Sequence, residues 1–132
     1  MSLTVSHKDT ERKLPQVGVH IGRCVCVIDK GTQTTNFGTK PQVLIGWELP
    51  NEDTYEWEGE TRSCMLWQTY TASLHKKSNL RHDLEAWRGR GFTNEELESF
   101  SLGNVAGQPC QLSVIHSDDG QYANLNGIMP LA

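Results

Sequence analysis

One stretch of helical periodicity, with strand-like segments on both sides, constrains this chain more than any other feature. Leu80, Leu84 and Trp87 recur at i, i+4 and i+7, so a helix places them on one apolar stripe. Ser78 or Asn79 can cap its start, and Arg88-Gly89-Arg90-Gly91 stops it. A second, short helix is expected to open at Thr93. Its Thr93-x-x-Glu96 spacing lets each side chain satisfy a free backbone N–H of the other, and Leu97 and Phe100 give it an apolar side.

The segments around the helices read as strands. Val17 to Ile28 is rich in β-branched residues and holds Gly18 and Gly22, and an interior glycine often marks a bulge or bend. A small barrel needs such a bend where one strand serves both halves. Asp29 to Pro41 then reads as a polar hairpin loop. The second strand, Gln42–Leu49, alternates Val43, Ile45, Trp47 and Leu49 on one face with Leu44, Gly46 and Glu48 on the other. A long acidic connection starts at Pro50. A third strand is expected roughly from Arg62 to Leu74, with Leu66, Tyr70, Ala72 and Leu74 mainly inward and Trp67, Thr69 and Thr71 outward; one bulge reverses that assignment. Cys110–His116 and Gln121–Met129, joined by the turn Ser117–Gly120, complete the strands.

Three strands, a helical segment and two more strands predict a mainly β protein: a five-stranded OB-fold barrel with a helical segment between strands 3 and 4. A β-sandwich fits less well, because the strands are few and the helical insert large. Residues 1–16 are expected to form a flexible polar leader and residues 17–132 a single OB-fold domain.

Composition narrows the function. No apolar run approaches a membrane span and the first residues lack an apolar signal core, so a cytoplasmic location in a bacterial host is expected, away from membranes. Cys24 and Cys26 stand two apart on a strand and should point the same way, which gives poor disulfide geometry. Cys64 and Cys110 stand alone, without the closely spaced pairs of a zinc site, so all four cysteines read as small hydrophobes. The five histidines show no metal-binding spacing, and no phosphate-cradling glycine loop or nucleophile elbow occurs. No enzyme, cofactor or metal is expected. The net charge of −4 argues against a generally basic DNA binder, yet Glu48, Glu52, Asp53, Glu56, Glu58 and Glu60 gather in one stretch while Lys30 and Lys40 bracket another.

Tyr70-Thr71-Ala72-Ser73-Leu74, then Lys77-Ser78-x-Leu80-Arg81-x-x-Leu84-x-x-Trp87-Arg88-Gly89, then Phe92-Thr93, resembles a group of small phage and prophage proteins. Gly18 to Gly31 and Gly46-Trp47-Glu48 are similar too. That group is regarded as single-stranded-DNA-binding proteins of OB type. The resemblance implies a non-catalytic protein that coats single-stranded DNA, with little sequence preference, in phage DNA replication or recombination. Its matched positions are mainly scaffold, which speaks to fold more than to function. The better-known bacterial single-strand binders carry an acidic tail for recruiting partners. This chain ends Gly127-Ile128-Met129-Pro130-Leu131-Ala132, so recruitment by such a tail is not expected.

A binder of single strands needs cations along a groove and flat rings on which bases stack. OB barrels bind on the face of strands two and three, framed by neighbouring loops. The stacking candidates are Trp67, Phe37, Tyr55 and Trp57, with Tyr122 a weaker one. The cationic candidates are Arg23, Lys30, Lys40, Arg62, Lys76 and Lys77. Trp47, Trp87 and Tyr70 read instead as core; Trp67 and Phe37 fit packing as well as stacking. Arg81 and Arg88 read as solvated helix residues or partners of Asp83 and Glu85. A protein-interaction module that docks to a phage replication or virion protein is the alternative, motivated by the acidic stretch; RNA is a third ligand. Self-association into a homodimer is expected from the affinity that linked sites gain.

Overall fold

A computed structural model describes residues 14–35, 38–50 and 55–131. The strands are β1 (Gly18–Thr35), β2 (Gly38–Glu48), β3 (Tyr55–Trp57), β4 (Glu60–Arg62), β5 (Met65–Thr71), β6 (Pro109–His116) and β7 (Ala123–Met129). Helices α1 (Asn79–Arg88) and α2 (Asn94–Glu98), then a 3-10 turn at Leu102–Val105, separate β5 from β6. Five strands form one antiparallel sheet in the order β5-β2-β1-β6-β7, and β3-β4 is a separate hairpin.

β1 organises this sheet. Its first part, Gly18 to Arg23, pairs with β6, and from Arg23 onward it pairs with β2. The strand can turn from one partner to the other because Gly22 has no side chain: a Cβ there would stand 2.6 Å from Cδ1 of Leu112. Bulges between Cys24 and Cys26 and between Asp29 and Gly31 bend it further. The edge strands β5 and β7 come within contact of each other without joining in a ladder, so the sheet curls toward a barrel but is not closed. Helix α1 contacts both edges.

The core lies inside the curl. Val43, Ile45, Trp47 and Leu49 of the second strand and its end are buried, as their alternation predicts. Leu66 and Tyr70 meet them from β5, Leu112 and Val114 from β6, and Leu80, Leu84 and Trp87 from α1. The Trp47 and Trp87 rings are 5.8 Å apart, and the Trp87 indole N–H donates to the Pro109 carbonyl at 3.0 Å. The Tyr70 hydroxyl donates to Asp83 at 2.6 Å, tying β5 to α1. Ser78 caps α1 by accepting the Arg81 N–H, and Thr93 and Glu96 form the expected capping box of α2.

Several expectations need correction. The segment Asp29–Pro41 is not a loop: β1 and β2 continue as a ladder from Asp29↔Val43 to Thr35↔Gly38, where β-branched threonines favour extended backbone. The acidic connection contains the β3–β4 hairpin. Its turn is Glu58-Gly59, with φ of 52° and 79°, the two positive values that a tight hairpin with the native twist requires. The strand expected over Arg62–Leu74 is shorter, because Arg62 belongs to the hairpin and Ser73 to Ser78 form a hydrogen-bonded loop. Cys24 and Cys26 do not share a face: they oppose the consecutive residues Trp47 and Gly46, so the bulge turns Cys24 inward and Cys26 outward. Arg88 is not a solvated helix residue; it pairs with Glu96 and stacks 4.4 Å over the Phe92 ring. Arg81 does pair with Glu85, at 3.6 Å.

The packed chain reaches back to Pro15, which is buried and whose carbonyl lies 2.6 Å from His116 Nε2. Among the described residues no helix is long and apolar enough to cross a membrane.

Candidate nucleic-acid interface

The outer surface of the β1–β2–β5 half follows from register. Successive rows across the three strands are Arg23–Glu48–Met65, Cys26–Gly46–Trp67, Ile28–Leu44–Thr69 and Gly31–Gln42–Thr71, with Gln33–Lys40 beyond. At about 3.3 Å per residue, the line from Glu48 to Lys40 runs roughly 25 Å. The middle of this face is weakly polar and its two ends carry charge.

Trp67 occupies the middle. A Cβ on Gly46 would stand 2.5, 2.7 and 2.9 Å from Cζ3, Cε3 and Cη2 of the indole. These atoms are consecutive around the six-membered ring, and such similar distances place that point above the ring, not beyond its edge. The indole therefore lies face-down on the bare Gly46 backbone, with its other face turned outward and 42% of the residue exposed. Packing and an open ring face coexist here: the glycine supplies the seat, and the seat holds the platform still. Ile28, at 42% exposure, lies one row further along.

Toward the other end the face deepens into a groove of about 600 Å³. Lys40 and Gln42 line it from β2, Thr69 and Thr71 from β5, and His75, Lys77 and Asn79 from the approach to α1. The loop that carries His75 and Lys77 is held by its own hydrogen bonds. The Ser73 hydroxyl accepts the His75 N–H at 3.1 Å, His75 Nδ1 accepts the Lys77 N–H at 3.2 Å, and the Ser78 hydroxyl donates to the Ser73 carbonyl at 2.7 Å. The Ala72 N–H donates to the Pro41 carbonyl at 2.9 Å, fastening the loop to β2 beside Lys40. Two lysines far apart in sequence thus share one groove, with hydroxyl and amide groups between them.

The remaining candidates divide. Arg23 stands at the far end of the same face, opposite Glu48, whose carboxylate accepts from the Ser63 hydroxyl at 3.2 Å. Lys30 is exposed in the second bulge of β1, where its carbonyl accepts from the Gln33 amide. Lys76 is exposed in the turn beside Lys77 but does not line the groove. Arg62 lies away from the groove in the acidic hairpin, where it pairs with Glu60 at 3.1 Å and its charge is offset locally. Phe37 lies outside the described residues, as do the side chains of Tyr55 and Trp57, whose backbones form β3. Tyr122 is exposed at the β6–β7 turn.

Sequence reasoning missed Gln42, His75 and Asn79 as parts of this surface and, having set Gly46 on the outer face of the second strand, did not show it as the seat of Trp67. Glycine at an outward position of an otherwise full strand was the available signal; its meaning needs the register that sets it opposite Trp67. Among the described residues no group of three or more His, Cys, Asp or Glu side chains is placed to hold a metal ion. Cys24, Cys64 and Cys110 are fully buried, and burial pushes the Cys110 thiol up to about 12 and raises that of Cys24. No protein-family model, curated protein or solved structure matches this chain.

Proposed function

We propose that this protein binds single-stranded DNA through the outer face of β1, β2 and β5, without catalysing a reaction on it. The observation that carries the reading is the Trp67 ring, seated on Gly46 with one face open, in line with the groove that holds Lys40 and Lys77. A base stacked on such a ring contributes about 1–3 kcal/mol and needs no particular sequence, while lysines attract the phosphates on either side. Strand order supports the reading. A first strand shared between two halves, with helices between the third and fourth strands of the main sheet, is the arrangement of an OB barrel, and OB barrels bind on this face.

The acidic excess is compatible with this function because, apart from Glu48 opposite Arg23 at one end of the face, its carboxylates lie outside the groove that holds Lys40 and Lys77. Glu56, Glu58 and Glu60 are on the β3–β4 hairpin, and Glu95, Glu96 and Glu98 are on α2. In a phage or prophage setting the protein would shield unpaired strands in the host cytoplasm during replication or recombination. Titration of the full chain with oligo-dT at low salt tests this. Quenched tryptophan emission and a retarded oligonucleotide are expected, and affinity should fall with salt at a log–log slope of about −0.7 per phosphate neutralised. An oligonucleotide that leaves both signals unchanged would end the proposal.

The exposed carboxylates of the hairpin favour one second reading, a module that docks to a basic phage replication or virion protein. It predicts that Glu56→Gln with Glu60→Gln abolishes co-purification of that protein and leaves oligo-dT affinity unchanged.

A further inference from the structure

The other half of the sheet presents a surface of different chemistry. On the β1–β6–β7 side, Val19 and Ile21 point outward from β1, Ile115 from β6 and Met129 from β7, with Val17 just ahead of β1. All are exposed, Val17 by 62% and Val19 by 58%. No ionisable side chain stands among the outward positions from Val17 to Ile21, Gln111 to Ile115 and Asn124 to Met129; His20, opposite buried Leu112, belongs to the other face. Charged residues make up 21% of the chain, so their absence from these outward positions, which Arg23 borders at one end, is a property of this surface.

We infer that this face is where a second copy of the chain docks. Charge selects the occupant. Beyond Arg23 at its border, which stands opposite Glu48, the face offers no cation for a phosphate backbone and no charge of either sign for a charged protein partner. Two copies that each carry −4 meet with least repulsion where neither presents a charge.

Shape and area agree. Beside the ridge of Val19 and Ile21, the pair Ser113–Gly127 leaves a shallow depression: a Cβ on Gly127 would meet only the Ser113 Cβ, at 3.8 Å. A two-fold axis sets the ridge of each copy into the depression of the other, the reciprocal fit of an isologous interface. The five apolar side chains expose on the order of 400 Å², about the largest patch a monomer ordinarily carries. With the uncharged polar positions around them, the face approaches the roughly 800 Å² per partner of a standard interface. Trp67 lies on the other half, so docking leaves the proposed DNA face open and does not depend on that reading.

Sedimentation of the full chain at micromolar concentration, without nucleic acid, tests the inference. A dimer is expected. Val19→Lys and, separately, Ser113→Arg should weaken it by at least about 100-fold, since each would bury an unpaired charge in an uncharged interface. Val19 is exposed and Ser113 part-exposed in the single chain, so circular dichroism should stay at wild-type values while the thermal midpoint falls only as far as loss of the dimer lowers it; two variants keep the test valid if one fails to fold. A wild-type chain that stays monomeric at tens of micromolar, or a folded charged variant that still forms the dimer, overturns the inference.

Discussion

The indole of Trp67 rests on the backbone of Gly46, its cross-strand neighbour, and no side chain larger than hydrogen fits beneath it. The contact fixes the ring as a platform, so the two residues should behave as a pair. Trp67→Ala is expected to weaken oligo-dT binding by about 5- to 150-fold, the equivalent of roughly 1–3 kcal/mol per stacked base, with little change in thermal midpoint. Gly46→Val should lift the ring from its seat and weaken binding in the same range, with an altered Trp67 emission. A Gly46→Val variant that binds as tightly as wild type would break the link between seat and platform.

Lys40 and Lys77 come from different elements but line one groove. Lys40→Gln and Lys77→Gln should each reduce the magnitude of the salt slope by about 0.7, one phosphate contact apiece, and weaken all oligonucleotides alike. Arg62→Gln should leave the slope where it was, because the Arg62 charge is already matched by Glu60. Titrations with oligo-dT at several salt concentrations separate the three.

Cys26 reports on the same face. It stands beside Gly46 on the outer surface and is half-buried, whereas Cys24, Cys64 and Cys110 are fully buried. Burial also raises the Cys24 and Cys110 thiols, which lowers their thiolate population. A thiol reagent should therefore titrate one cysteine in the native protein and four after denaturation. Saturating oligo-dT should slow the single native reaction at least several-fold. An unchanged rate in a saturated complex would place the DNA elsewhere.

The Tyr70–Asp83 hydrogen bond joins a sheet edge to α1 within the core, and burial followed by this bond holds the Tyr70 phenol well above its usual range. Tyr70→Phe leaves a part-buried carboxylate without its donor. A loss of about 1.5–3 kcal/mol is expected in urea unfolding, the usual worth of a bond to a charged acceptor. A loss under about 0.5 kcal/mol would show that water replaces the phenol at no cost.

Acid should loosen the helical insert first. The Glu96 carboxyl is held below its ordinary value by the Thr93 backbone N–H, and then by Arg88 and Arg90. A carboxyl whose folded pKa is depressed adds stability that is complete above its unfolded pKa and disappears as pH falls through the folded one. The stability of wild type should thus decline below the usual carboxylate range, and Glu96→Gln should flatten part of that decline. Asp119, lowered by the Ser117 hydroxyl and the Gln121 N–H, adds to it with the same sign. Thermal midpoints measured across the acid range give both curves.

Much of the fold was legible because its signals are local. The Leu80–Leu84–Trp87 stripe, the Thr93–Glu96 box and the alternation from Val43 to Leu49 each declare an element and the face it buries, and all three lie where expected. What escaped depends on partners distant in sequence. The bulge that separates Cys24 from Cys26 arises where β1 exchanges β6 for β2, and nothing between those two residues announces it. The β3–β4 hairpin was hidden because its turn puts a glutamate, Glu58, where asparagine or glycine is the usual mark. The candidate surface was read in outline through Trp67, Lys40 and Lys77, while Gly46 acquired meaning only from the strand pairing.

The double membership of β1 has a mechanical consequence. The two halves of the sheet meet on one continuous strand and share Arg23 as a paired position, so an opening that reaches Arg23 from one half enters the ladder of the other. Amide exchange on the two sides of Arg23 should follow one shared opening, and whatever grips one half damps motion in the other.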